Sequence, residues 1–505
     1  MSQPVRVGGA PLTVAEVVAV ARDDARVELA SEALAAMRAS RAIIEQLAAD
    51  TRPHYGISTG FGALATQQIP PERRIQLQRS LVRSHAASAG AEVEREVVRA
   101  TMLLRLATLA TGRTGVRPEV AEVYAAMLDA GITPVIGEYG SLGCSGDLAP
   151  LAHIALAAMG EGPVRVGGRL LDAGEALAAA GITPVELHEK EGLALINGTD
   201  GMLGMLCLAL ADLDRLLTTA DLAAAMSIEG LAGTDTVFAE DLQALRPHPG
   251  QAASARLMRE VLAGSPVVAA HRTNGFTRVQ DAYSLRCAPQ VHGAARDTAS
   301  HARRVAEVEL ASAIDNPVVT IDGRIESNGN FHGAPLGYVL DFLAIAVADV
   351  ASMSERRTDR FLDRSRNGGL SPFLADDPGV DSGHMIAQYT QAGIVSELKR
   401  LAVPASVDSI PTSAMQEDHV SMGWSAARKL RRAIDGLGQV LAIEVLTAAR
   451  GIELRGEGSS PVVSRVVAAL RTRVPGAGPD RFLAPDIAAA ALAVADGTLV
   501  KELPA

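Results

Sequence analysis

The stretch LGYVLDFLAIAVADVASMSERR, residues 336–357, constrains the fold more than any other. Read at helical spacing it is apolar on nearly every face. Such a helix needs neighbours around most of its circumference, in a bundle or at a subunit interface. Aromatic residues make up 3% of the chain and Trp424 is the single tryptophan, so those neighbours must pack through Ala, Leu and Val. Small side chains suit close helix–helix packing. Other helical patterns cover 27–49, 71–88, 94–111, 117–130, 199–231, 297–314, 334–362, 383–402 and 419 to about 450. Thr13-Val14-Ala15-Glu16 reads as a capping box opening the first helix. Residues 162–187, GPVRVGGRLLDAGEALAAAGITPVEL, read as a small hairpin followed by a short helix. A Gly/Pro-rich break at 455–480 precedes a short helical tail. No alternating βαβ series, internal repeat or low-complexity tract is present, so the expected class is mostly all-α. The 505 residues are expected to form one unit: an N-terminal part to about 195, a central long-helix bundle over about 196–455, and a tail over about 456–505.

Charge and composition exclude several functions. Lys and Arg number 47 against 58 Asp and Glu, a net charge of −11 without a long basic run, which argues against a nucleic-acid surface. The three cysteines, Cys144, Cys207 and Cys287, form no CxxC pair and read as reduced intracellular thiols. The N-terminus MSQPVRVGGAPLTVAEV lacks a basic-then-apolar signal pattern. Asp212, Asp341 or Asp349 interrupts the most apolar stretches, so no membrane span is expected and the expected setting is the cytoplasm. There is no HExxH, and the histidines do not recur at metal-ligand spacing, so no metal is expected.

The densest polar motif is GSLGCSGDLAPLAH, residues 140–153. It lacks the lysine of a P-loop. GCSGD also lacks the final glycine of GxSxG, and its helical context is wrong for a strand–turn–helix elbow. Taken alone, Ser145 or Asp147 is equally well explained as a cap on the following helix. Other polar segments shift the balance: YGISTGFG from Tyr55, KEGLALINGTDGM around Asn197, RVQDAYSLRCAPQVHG at 278–293, NGNFHGAP at 328–335 and DSIPTSAMQEDHVSM at 408–422. Each falls in a loop or at the edge of an expected helix, where sites concentrate.

Together these residues resemble the aromatic amino acid lyase family over essentially the whole chain, and more particularly its histidine-deaminating members of actinobacterial type. The resemblance implies a long central helical bundle of the aromatic amino acid lyase and fumarase-like type, assembled as a homotetramer whose sites draw on several subunits. It also implies a methylidene-imidazolone (MIO) electrophile closed from Cys144-Ser145-Gly146, with no external cofactor and no metal. Cysteine stands in place of the commoner alanine, and that residue contributes only its carbonyl carbon to the ring. The residue types make chemical sense. A peptide nitrogen is a poor nucleophile, so its attack on the carbonyl two residues back needs a pinched turn, which Gly146 permits while Gly140 and Gly143 bend the flanks. Serine supplies the hydroxyl whose loss as water leaves an exocyclic methylidene. By the same resemblance, Asp147 assists ring formation.

Adding an amine to such an electrophile makes a better leaving group, and a base must then remove the β-proton. The resemblance makes Tyr55 that base, on a loop given mobility by glycines at 56, 60 and 62. A free tyrosine titrates near pH ~10, so donors or positive charge must lie close by. Arg286 would pair bidentately with the substrate carboxylate. Gln280, Tyr283 and Asn197 would bond the carboxylate or the amine, and Phe331 would line the pocket. Departures from the commonest pattern are Ser58 for Asn or Thr, Ala282 for Pro, His292 for Met and Met415 for Asn. Substrate choice rests on two places. Ser84-His85 stands where tyrosine-type members carry His-Leu and phenylalanine-type members Phe-Leu, and Glu417 stands where the latter favour Gln. A polar His85 and a carboxylate both suit an imidazole. The implied reaction is L-histidine to urocanate and ammonia, the first step of histidine degradation. Two rivals stay open: a lyase or aminomutase for tyrosine or phenylalanine, and a catalytically silent homologue serving as a binding or scaffold protein.

Overall fold

The computed structural model describes residues 3–273 and 279–504. Its backbone divides into two compact units that interleave along the chain. The first comprises Met1–Ala211, Arg303–Asp341 and Pro404–Arg428, and the second comprises Asp212–Ala302, Phe342–Val403 and Lys429–Ala505. Helices dominate both, and the few strands are two to four residues long.

In the first unit, Val5–Val7 pairs in parallel with Val27–Leu29. That pairing removes the first residues of the helix expected over 27–49, which instead runs Ser31–Ala48. The helix Val14–Arg22 opens on the expected capping box, with Thr13 and Glu16 bonded reciprocally. The hairpin Pro163–Val166 with Arg169–Asp172 turns on Gly167 and Gly168, both at positive φ, and the helix Ala173–Ala179 follows under an Asp172 cap. Arg95–Ala110 is buried on nearly all faces and carries two wholly buried arginines. Arg99 donates to the carbonyls of Val20 and Leu128, and Arg105 to those of Ala194, Asn197 and Ile314. Each guanidinium thereby ties separate segments to one helix, and its burial is tolerated because most of its donors meet acceptors. Arg99 Nη2, without a hydrogen bond of its own, lies 3.1 Å from the Asp24 carboxylate.

The second unit is packed as the composition requires. Leu222, Met226, Val350, Leu437, Val440 and Leu441 are fully buried. Its largest buried aromatic rings are Phe238 and Phe361. Phe361 fits into a notch made by Gly230 and Gly451, where an added Cβ would come within 2.8 and 2.5 Å of the ring. A buried pair, Arg357 with Glu444 (2.5 and 2.8 Å), is completed by the Ser227 hydroxyl.

The helices Asp200–Gly230, Ala334–Leu362 and Met385–Leu401 fall where periodicity predicts them. Two predictions need correction. The helix expected over 297–314 runs Ala288–Leu310, beginning early because Pro289 in a first turn favours a helix. The break at 455–480 contains the helix Pro461–Arg471, whose N-cap Ser460 accepts from the Val463 N–H. Among the described residues, Glu191–Gly230 and Ala334–Leu362 are long and apolar enough to cross a membrane by length and composition. The apolar window of the first is wholly buried by protein, and that of the second is 61% buried.

Candidate active site

The turn before the helix Leu148–Ala158 has a backbone that favours glycine. Gly143 has φ +69° and Gly146 φ +80°. A Cβ on Gly146 would lie 2.1 Å from the Gly198 carbonyl oxygen, so the absence of a side chain is what lets the two segments meet. The Asp147 N–H donates to that same carbonyl at 2.7 Å. From the other side, the Ser421 hydroxyl (2.6 Å) and the Gly333 N–H (2.9 Å) donate to the Gly143 carbonyl, and the Met422 N–H donates to that of Leu142 at 2.8 Å.

Asp147 occupies the N-cap position of Leu148–Ala158 without capping it. Its carboxylate accepts from the Ser141 hydroxyl at 2.8 Å and the Met202 N–H at 3.0 Å. Burial pushes this carboxyl up to about 7 in spite of those donors. The folded chain therefore holds the Asp147 proton over a range in which the unfolded chain has released it. Its contribution to stability is present below about pH 4 and is lost as pH rises through about 7. In a Ser145→Ala background, Asp147→Asn should flatten the stability–pH curve over this window by roughly 2–4 kcal/mol relative to the parent. Urea unfolding at pH 4 and pH 7 checks this, and equal slopes for the two proteins would refute it.

Glu417 gathers the tripeptide. Ser145 Oγ donates to Glu417 Oε1 at 2.5 Å, while Cys144 Sγ and Thr412 Oγ1 donate to Oε2 at 3.1 and 2.9 Å. Burial alone would raise the Glu417 carboxyl, but these three donors and the nearby His85 outweigh it and hold it below the usual range. Cys144 moves the other way: burial, then the Glu417 carboxylate, push its thiol up to about 12. Glu417 is aimed by an unusual turn. Ser413, Ala414 and Met415 all lie at left-handed φ (+53°, +51° and +66°), and the backbones of Thr412 and Glu417 bond reciprocally. Consecutive left-handed non-glycine residues cost roughly 1–2 kcal/mol each, and such strain concentrates at sites. Met415 occupies a position that suits Asn better, because a left-handed backbone costs Asn less.

Tyr55, Ser84, His85, Ser145, Asn197 and Glu417 line one cavity of about 600 Å³ within the first unit. The Gly62 N–H donates to Tyr55 Oη at 3.2 Å. Ser58, buried below this loop, accepts from the His54 N–H at 2.9 Å, a local bond that fastens the turn. His85 Nδ1 lies 2.9 Å from the Leu81 carbonyl; because a carbonyl can only accept, Nδ1 carries the proton. Burial lowers the His85 pKa, opposed by that carbonyl and by the Glu417 charge. Asn197 Nδ2 donates to the Asn316 carbonyl at 3.0 Å, leaving its buried Oδ1 without a partner.

Phe331 is half-buried in the first unit and does not line this cavity. Gln280, Tyr283 and Arg286 belong to the second unit. Gln280 is exposed and Tyr283 is 70% exposed. Arg286 stacks over the Tyr283 ring at 4.7 Å and keeps a buried Nε without a partner. Arg278, at the head of that segment, lies outside the described residues. His292, which replaces a commoner Met, is buried against Asp221 (2.8 Å). Among the described residues no cluster of His, Cys, Asp and Glu is arranged to hold a metal.

Sequence reading missed what stands behind the cavity. Arg105 binds Asp200 and two carbonyls of the segment carrying Asn197. Lys190 pairs with Asp315 (2.5 Å), next to Asn316, with both side chains wholly buried. A charge inside an apolar run, as Arg105 is in MLLRLATLA, was the signal that could have found the first.

The sequence pattern of the aromatic amino acid lyase family matches residues 12–472. A histidine ammonia-lyase of Streptomyces avermitilis is 65% identical over 497 residues, covering 98% of this chain and 97% of that protein. One of Streptomyces coelicolor is 64% identical over the same shares. Among solved structures, a histidine ammonia-lyase from Trypanosoma cruzi superposes with a TM-score of 0.91 at 37% identity, covering 99% of this chain and 96% of that one. A tyrosine aminomutase from Streptomyces globisporus gives 0.93 at 38% identity, covering 99% and 98%. With the family pattern matched over residues 12–472 and relatives 64–65% identical over nearly the whole chain, the chain belongs to the aromatic amino acid lyase family.

Proposed function

We propose that the protein deaminates L-histidine to urocanate and ammonia, the first step of histidine degradation. One observation carries the substrate choice: His85 and Glu417 line the same cavity as Ser145. With Nδ1 donating to the Leu81 carbonyl, His85 keeps Nε2 as a free acceptor. That nitrogen and the ionised carboxylate can both accept from an imidazole N–H, and neither is of use against a phenyl ring.

The tripeptide Cys144-Ser145-Gly146 fits a methylidene-imidazolone. Gly146 takes a left-handed φ with Gly198 against it, and the buried Asp147 is poised near neutrality to exchange a proton during closure. When formed, that group supplies an electrophile for the substrate amine. The chain's own residues do the rest. Tyr55 takes the β-proton, with the Gly62 N–H directed at the oxygen that must carry charge. Asn197 Oδ1, a buried acceptor without a partner, receives an amine proton. Arg286, with Gln280 and Tyr283, would hold the carboxylate, and Phe331 would line the pocket, when supplied by further copies of the chain, since none of the four lines this cavity.

The working form proposed is a homotetramer with shared sites. Tyr283 is exposed, and Tyr338, Phe342 and Ile345 leave an apolar strip on the helix Ala334–Leu362, as expected of surfaces covered by further copies. Three unbonded cysteines fit a cytoplasmic setting.

Incubation with L-histidine, L-tyrosine and L-phenylalanine tests the reading. Urocanate absorbance should rise with histidine alone. A rise in coumarate or cinnamate without urocanate would favour the tyrosine or phenylalanine reading, and no product together with a full-length mass would favour a silent homologue.

A further inference from the structure

We propose that Cys144 is a positioning residue, whose thiol clamps one oxygen of Glu417 so that the other is presented to the substrate's ring once the Ser145 hydroxyl has gone. The inference rests on the reading that Glu417 holds the imidazole.

The two carboxylate oxygens of Glu417 are treated differently. Oε2 receives Cys144 Sγ and Thr412 Oγ1, whereas the one bond to Oε1 among the described residues comes from Ser145 Oγ. Closure of the tripeptide consumes that hydroxyl. The Gly146 nitrogen bonds to the Cys144 carbonyl carbon, and the carbonyl oxygen leaves as water with the amide protons of Gly146 and Ser145, leaving a C=N bond between the Cys144 carbon and the Ser145 nitrogen. The Ser145 Cβ–O bond then breaks, and hydroxyl and Cα proton leave as a second water. Oε1 thereby loses its donor, while Oε2 keeps both of its own, because the Cys144 side chain stays outside the ring. An unneeded bond in the precursor becomes a vacant acceptor facing the cavity.

The backbone of Glu417 is already fixed by its reciprocal bonds with Thr412. What remains free is rotation of the carboxylate about its stem, and a second donor on Oε2 restrains it. The thiol can only donate here, since it stays protonated with its pKa pushed up to about 12. Alanine would supply no donor at all, so cysteine adds a function that the commoner residue lacks.

The test compares Ser145→Ala with Ser145→Ala/Cys144→Ala and Ser145→Ala/Cys144→Ser, none of which can complete closure. Calorimetric binding of L-histidine and of L-phenylalanine is measured for each. Removing the thiol should weaken L-histidine binding about five- to tenfold, the size of an ordinary net hydrogen-bond contribution, as suits a weak thiol donor. L-phenylalanine binding should not change, and serine at 144 should restore most of the loss. In parallel, Cys144→Ala alone should keep its two-water mass deficit, raise KM for L-histidine with little change in kcat, and move the acid limb of the kcat/KM profile to higher pH. Equal L-histidine affinity with and without the thiol, or equal losses for both ligands, overturns the inference. Absence of urocanate from the unmodified protein overturns the functional reading first, and the two failures are told apart by that assay.

Discussion

Ser145→Ala is expected to give a folded protein that lacks the two-water mass deficit and deaminates L-histidine at least about 10⁴-fold more slowly, roughly 5.5 kcal/mol of barrier. The argument is one of atoms. Alanine has no hydroxyl to lose, so the exocyclic carbon cannot become unsaturated and the amine has no electrophile to meet. Folding should survive, because Ser145 is only half-buried and its single described side-chain bond goes to Glu417, a bond that the proposed closure would itself remove. Intact mass, circular dichroism and urocanate absorbance read the three quantities separately. A variant with activity within tenfold of the parent would remove Ser145 from the chemistry.

Gly146→Ala is expected to abolish the same mass deficit by a different route, and to destabilise the fold by roughly 3–5 kcal/mol. Part of this is conformational, because φ +80° is poorly tolerated by alanine. The larger part is contact: a Cβ 2.1 Å from the Gly198 carbonyl oxygen cannot be accommodated unless one segment moves away. Gly198 has no room to retreat, since its own Cβ position lies 1.8 Å from Arg105 Nη2. Gly131 separates the two effects. It has φ +66° with nothing within 4 Å, so Gly131→Ala should lose only about 1 kcal/mol. Thermal unfolding of the pair, with intact masses, decides the matter; matching losses would mean that close approach to Gly198 is not what position 146 requires.

Most of the helices were legible because periodicity is a property of neighbouring residues. Ala334–Leu362 and Asp200–Gly230 could be bounded from apolar spacing alone. The errors came where pairing or capping decided. Val27–Leu29 is a strand because Val5–Val7 lies beside it, a fact absent from either segment. Pro461–Arg471 was hidden by glycines around it, although Ser460-Pro461 is a legible start. At the site, Ser145, His85 and Glu417 were singled out by the resemblance to a family rather than by their residue types alone, and they line one cavity. Arg105, Lys190 and Asp315 were not, since their work is to hold carbonyls and neighbouring segments that only the fold brings together. Asp147 shows the limit in a single residue: a helix cap by position, it points its carboxylate elsewhere.

The grip on the Leu142–Gly143 turn also sets a chronology. Its carbonyls are held by Gly333, Ser421 and Met422, residues that leave the ribosome long after residues 142–146 have been made. During synthesis the tripeptide is ordinary peptide, without the clamp that gives it shape. Any reaction that depends on that shape dates from after translation of the segment around Ser421. On the proposed chemistry, a chain truncated before that segment would carry every atom of the tripeptide and still be unable to ripen, so the proposed electrophile would double as a record that the chain was finished and folded.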